Sequence, residues 1–161
     1  MSNSQSEKLQ IEKIQLDEAT ELTATRLMWA GLIPFIGTAI IGAIGFWQAP
    51  LAQAFLIYSA VILSFLGGIH WGLIMAKGME NPQGSLVICM IPSIIGWLSV
   101  AFLPVLWALG VLAIVYMLWL KYDVKRVGQA WYEKVRQPVT FVVAGCHFLW
   151  FITIATELRV G

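Results

Sequence analysis

Apolar residues in this chain come in runs too long for strands, separated by short clusters of proline, glycine, amide and charged residues. A bilayer core of roughly 30 Å takes about 20 residues of helix, and that length picks out the crossings. Residues 27–47 form one uncharged run ended by Gln48, Ala49 and Pro50. Residues 51–76 form a second, ended by Lys77 and the turn-forming Asn81, Pro82, Gln83 and Gly84. The stretch from Ser85 to Leu120 holds no charge and is too long for one crossing. It predicts two helices, 85–103 and 105–120, folded back at Leu103 and Pro104. Residues 121–138 make an amphipathic loop, and 139–156 a fifth run that stops at Glu157 and Arg159. The expected fold class is all-α: a polytopic integral membrane helical bundle of about five transmembrane helices over 27–157, led by a polar arm, 1–26.

Composition supports a membrane as the main solvent. The chain is 59% hydrophobic and 12% charged with a mean hydropathy of +0.78, whereas soluble domains carry about 25% charge. A net charge of +1 gives nucleic acid no basic surface to read. The polar arm lacks the short basic start and small-residue cleavage pattern of a signal peptide, so none is expected. Its apolar residues, Leu9, Ile11, Ile14, Leu16 and Leu22, follow a helical stripe only loosely, which suits a solvated or surface-lying lead-in.

Charge orients the bundle. Loops on the cytoplasmic side collect Lys and Arg, and five alternating spans put Lys8, Lys13, Arg26, Lys77, Lys121, Lys125, Arg126, Lys134 and Arg136 on one side, leaving Arg159 on the other. A single span over 85–120 would set the 121–138 loop against the other basic residues. The expectation is N-terminus inside, C-terminus outside. Trp131 and Tyr132 give the inner loop an interfacial, lipid-anchoring character, and Trp29, Trp47, Trp71, Trp119 and Tyr122 fall near span ends as an aromatic belt. Trp97, Trp107, Tyr116 and Trp150 lie deeper and read as packing residues.

Helices in lipid associate through small residues that let backbones approach. Ala60, Ser64, Gly68, Gly72 and Ala76 recur every four residues, with Gly68 and Gly72 forming a GxxxG pair, and predict a helix-packing face on the second span. A weaker stripe, Ala30, Pro34, Thr38 and Gly42, marks the first, and the short connection predicts an antiparallel hairpin of the two. Pro34 and Pro92 stand in related settings, Ile33-Pro34-Phe35-Ile36-Gly37 and Ile91-Pro92-Ser93-Ile94-Ile95-Gly96. They predict kinked helices, with an old internal duplication as the alternative.

No HExxH, GxSxG, Walker, Rossmann or CxxC pattern occurs, and no acid falls within a predicted span; Glu80, Asp123 and Glu157 sit at span ends. Cys89 and Cys146 lie in apolar runs and read as small buried hydrophobes. Candidate chemistry rests on His70 and His147, the only histidines. At 1.5 Å per residue they lie roughly 10 and 13 Å from the inner boundary, similar depths at which they could meet. Two such histidines suit axial ligation of a b-type haem, hydrogen bonding to a quinone, or a metal shared with Cys89 or Cys146. The plainer alternative is neutral histidines bonded to carbonyls, Ser or Tyr of neighbouring helices. His70 is about 200° around the helix from Gly68, so its partner must come from another helix.

The segment Tyr58-Ser59-Ala60-Val61-Ile62-Leu63-Ser64-Phe65-Leu66-Gly67-Gly68-Ile69-His70-Trp71-Gly72 resembles a domain-of-unknown-function family that includes mitochondrial transmembrane protein 69. Tyr122-Asp123, Trp131-Tyr132 and Val135-Arg136-Gln137-Pro138-Val139-Thr140 resemble the same family's inner loop, and the likeness runs from about Leu27 to Ile154. It implies a small membrane protein of bacterial inner membranes with relatives in mitochondria, and brings no catalytic residues with it. The expected function is therefore a non-enzymatic accessory, assembly or structural membrane protein, in contact with membrane lipids and with a second copy or another membrane protein as partner. A haem- or quinone-binding redox protein using His70 and His147 is the alternative, and a small transporter the next.

Overall fold

In lipid every backbone N–H and C=O must find a partner within the chain, and a helix does this segment by segment. The computed structural model, which describes residues 17–77 and 82–160, is helical along nearly all of that length. Among the described residues six helices follow one another: α1 (Glu18–Ala30), α2 (Ile33–Ala43), α3 (Gln48–Lys77), α4 (Pro82–Phe102), α5 (Val105–Val127) and α6 (Ala130–Val160). With α1 and α2 taken as one path, five helices are long and apolar enough to cross a membrane. The molecule is a multi-pass membrane protein. Residues 1–16 of the polar arm, with Lys8 and Lys13, lie outside the described residues, as does Glu80.

The first crossing starts earlier than hydropathy places it, at Glu18, and breaks at Gly31 and Leu32. Pro34 sits in the first turn of α2, where its missing N–H is not needed. Tyr58 on α3 donates its hydroxyl to the Gly31 carbonyl at 3.0 Å, satisfying an acceptor that the break sets free. Pro92, by contrast, is buried in the middle of α4, so the two prolines occupy different structural positions. Leu103 and Pro104 join α4 to α5.

The largest departure from the sequence reading is at residues 121–138. No long loop exists there: α5 runs on to Val127, Gly128 and Gln129 make the whole connection, and α6 begins at Ala130. Gly128 adopts φ 65°, the left-handed conformation that ends helices, and gives its N–H to the Val124 carbonyl. Lys121, Lys125, Arg126 and Lys134 stay exposed on the helix ends while Asp123, Tyr132 and Arg136 turn inward. We refer to this end of the bundle as the basic end.

Helix α3 is central, packed most extensively on α4 and also on α2 and α5; α6 pairs with α5 and receives α2 and α1. The core between them is built of Phe35, Phe55, Leu56, Leu63, Leu109, Leu112 and Trp150. Large apolar side chains also cover the outside, Val87, Trp107 and Phe65 among them, as a lipid-facing surface requires. Trp97 and Trp107 belong to that surface, at 61% and 71% exposure, while Tyr116 and Trp150 are the packing residues.

The packing faces are displaced from the small-residue stripes. On α3 the glycine that faces α4 is Gly67, where a Cβ would lie 2.3 Å from the Cys89 carbonyl oxygen. Ala60 does take part, against Gly96, but Ser64, Gly68, Gly72 and Ala76 are exposed, and among the described residues nothing stands within 4 Å of a Cβ built on Gly68 or Gly72. On α2 the buried residues are Phe35, Ala39 and Gly42, so Gly42 alone of the first stripe is buried. Gly42 lies under the Trp150 ring, 2.1 Å from where its Cβ would be. The first two spans do pack together, with the Phe35 ring against Phe55 and Tyr58.

Candidate functional site

Three helices meet at a buried carboxylate near the basic end. Asp123, on the inner face of α5 four residues before its end, is fully buried. Arg136 Nε donates to Asp123 Oδ2 at 2.7 Å, and the Tyr132 hydroxyl lies 3.0 Å from both carboxylate oxygens. His70 Nε2, on α3, sits 3.0 Å from Asp123 Oδ1. Tyr132, Arg136 and Thr140 follow at four-residue intervals and so share one face of α6; Arg136 Nη1 donates to Thr140 Oγ1 at 2.7 Å. The Trp119 and Tyr122 rings meet His70 edge-on, at 5.3 and 5.1 Å.

The charges explain the arrangement. A lone carboxylate or guanidinium in this setting is costly to desolvate, and a pair is tolerated only when close and further hydrogen-bonded. Asp123 and Arg136 neutralise each other, with hydroxyls from Tyr132 and Thr140 completing the network. An ionised carboxylate only accepts, so His70 presents Nε2–H to it and keeps its lone pair on Nδ1. Arg136 Nη2 is buried and has no acceptor among the described residues. Outside the cluster, Arg126 stacks on the Tyr122 ring at 5.4 Å and reaches Ser85 Oγ at 3.4 Å.

His147 occupies a different site, deeper along the same faces of α3, α5 and α6. Its Nδ1 lies 2.8 Å from the Val143 carbonyl and its Nε2 3.0 Å from Ser59 Oγ. A carbonyl cannot donate, so Nδ1 carries the hydrogen and the Ser59 hydroxyl donates to Nε2. Tyr116 gives its hydroxyl to the Ser59 carbonyl at 2.9 Å, and the rings of Phe35 and Phe55 enclose the imidazole.

His70 and His147 therefore belong to two separate hydrogen-bonded sets. A bis-histidine haem needs one free nitrogen from each ring, and both nitrogens of His147 are committed within the protein. The arrangement of His147 is that of interhelical hydrogen bonding. Cys89 donates to the Leu86 carbonyl, Cys146 is buried, and no group of three or more His, Cys, Asp or Glu fit for a metal occurs among the described residues.

A family model described as a protein of unknown function, DUF3429, matches residues 20–152. The chain belongs to this family. Transmembrane protein 69 of Xenopus tropicalis is 29% identical to it over 119 residues, which cover 70% of this chain and 47% of that protein. The chain thus spans about half the length of the curated relative it matches. No solved structure matches it.

All the residues of both histidine sites fall within the stretch matched by the DUF3429 model. Sequence reasoning named His70 and His147 and missed Asp123, Tyr132 and Arg136. It placed Asp123 and Arg136 in a polar loop, because charge near the end of an apolar run reads as the end of a span. A signal was present in the spacing: Tyr132, Arg136, Thr140 and His147 recur at four, four and seven residues, a polar line on one helix face that crosses the supposed boundary.

Proposed function

We propose that this DUF3429 protein is a non-enzymatic accessory or assembly protein of the bacterial inner membrane, oriented with its N-terminus inside and its C-terminus outside. It works by offering the outer face of α3 to a transmembrane helix of another membrane protein. One observation carries the reading: Ser64, Gly68, Gly72 and Ala76 form a small-residue line on the surface of the bundle, with no atom of the described residues within 4 Å of a Cβ built on Gly68 or Gly72. In lipid, such a line lets a second helix approach closely enough for backbone van der Waals contact. Val61, Phe65 and Met75 flank it as exposed apolar walls. The relative's printed name, a transmembrane protein, agrees with a membrane role and adds no activity.

Site-directed cross-linking in native membranes tests this. Gly68→Cys and Gly72→Cys should capture a distinct membrane protein that Val87→Cys, at an exposed position on α4, does not. Capture of a second copy alone would replace the hetero-partner by self-association. No capture above the Val87→Cys level would remove the reading.

A further inference from the structure

The charges around His70 already balance without it. Arg136 neutralises Asp123 over 2.7 Å, and Tyr132 adds a neutral donor. A neutral amide at position 70 would complete the carboxylate's hydrogen bonds equally well. What an imidazole adds is a second nitrogen able to take up a proton. With Nε2–H turned to Asp123, that nitrogen is Nδ1.

The couple also lies close to two helix ends. Asp123 lies about 6 Å of helix from the end of α5, and Tyr132 about 3 Å from the start of α6. Two buried donors next to the couple lack acceptors among the described residues: Nη2 of Arg136, which is 4% exposed, and Nε1 of Trp119, whose ring touches His70. Buried N–H groups of this kind are characteristically satisfied by water, the carrier that a proton needs. His147 offers a contrast, since Val143 and Ser59 occupy both of its nitrogens.

We propose that the His70–Asp123 couple is a proton-binding site inside the bundle, loaded from the aqueous phase at the basic end, with Arg136 as its positioning residue. Uptake forms one N–H bond at His70 Nδ1 and moves no electrons. It converts a neutral cluster into one of charge +1, in which an imidazolium faces the carboxylate. The charged and titratable groups gathered around the ring are Asp123 and Tyr122 from α5 and Tyr132 and Arg136 from α6, with Arg126 beyond Tyr122.

The chain holds two histidines, so nitrogen-15 NMR of histidine-labelled full-length protein in lipid nanodiscs shows two rings. Across about pH 5 to 8, one ring should titrate reversibly, and its loss in His70→Gln identifies it. Asp123→Asn removes the facing charge and should weaken proton binding at least about tenfold, a midpoint lower by about one pH unit. Tyr132→Phe, a milder change that leaves every charge in place, removes a donor that stabilises the carboxylate, and the midpoint should rise. The proposal fails if neither ring titrates in the wild type, or if the titrating ring is His147. It fails equally if Asp123→Asn leaves the midpoint in place or Tyr132→Phe does not raise it.

Discussion

Adjacent glycines on α3 offer a sharp test of which helix face packs. A Cβ on Gly67 would lie 2.3 Å from the Cys89 carbonyl oxygen, whereas one on Gly68 meets nothing within 4 Å among the described residues. Real Cβ contacts stop near 3.0 Å, so Gly67→Ala must push α3 and α4 apart by about 0.7 Å, at the most extensive helix contact in the bundle. Overpacking of a tight interior contact costs about 1–3 kcal/mol. Replacing Gly by Ala in a helix contributes up to about 1 kcal/mol of stabilisation from propensity, and this term is common to both positions. The difference between Gly67→Ala and Gly68→Ala therefore isolates the clash: about 1–3 kcal/mol, with Gly67→Ala the less stable. Equilibrium unfolding by SDS titration in mixed micelles, followed by helicity, measures it. Equal stabilities, or a larger loss in Gly68→Ala, would refute the displaced packing face and return the i+4 stripe to the interior.

Other outcomes are expected from the two buried polar sets and from the orientation. Arg136→Met leaves Asp123 buried without a countercharge and should cost about 3–5 kcal/mol, while Asp123→Leu combined with Arg136→Met should recover most of that loss in the same SDS titration; a double variant as unstable as the sum of the singles would contradict the pairing. Ser59→Ala removes the hydroxyl that bonds His147 Nε2 and should cost on average about 0.6 kcal/mol, with about 1.7 as the upper end for such interhelical bonds; a loss well beyond that would mean Ser59 does more than bond the ring. Reporter domains fused at the two ends should show the N-terminus inside and the C-terminus outside; the same side for both ends would break the five-crossing count.

Much of the fold is legible in the sequence because a crossing is set by length and by the absence of charge, both of which survive inspection residue by residue. Pro104 shows this well: nothing charged interrupts residues 85–120, yet the stretch is too long for one crossing, and the helices do separate at Leu103 and Pro104. Faces are harder to read than spans. Gly67 and Gly68 are adjacent and chemically identical, and which of them meets a neighbour depends on how α3 is rotated against α4. That rotation is fixed by the sum of many contacts, including Leu63, Leu66, His70 and Ile74, all buried on α3. A four-residue repeat of small side chains records only that some helix approaches closely there.

Arg136 shows why the site was hidden. As one of nine basic residues on one side it reads as a topological signal, and such signals belong to loops. Within the fold it is 4% exposed and tied to Asp123 and Thr140, so its charge is cancelled inside the bundle. Setting it aside leaves eight basic residues against Arg159, and the orientation argument keeps its direction. The exposed Lys121, Lys125, Arg126 and Lys134 surround the same end on helix surfaces, where long side chains can reach the headgroup layer. Two kinds of basic residue thus share a short stretch of sequence: those that stay exposed on the helix ends, and the one that makes a buried carboxylate tolerable. Distinguishing them requires the helix period, because only Arg136 stands in line with Tyr132, Thr140 and His147.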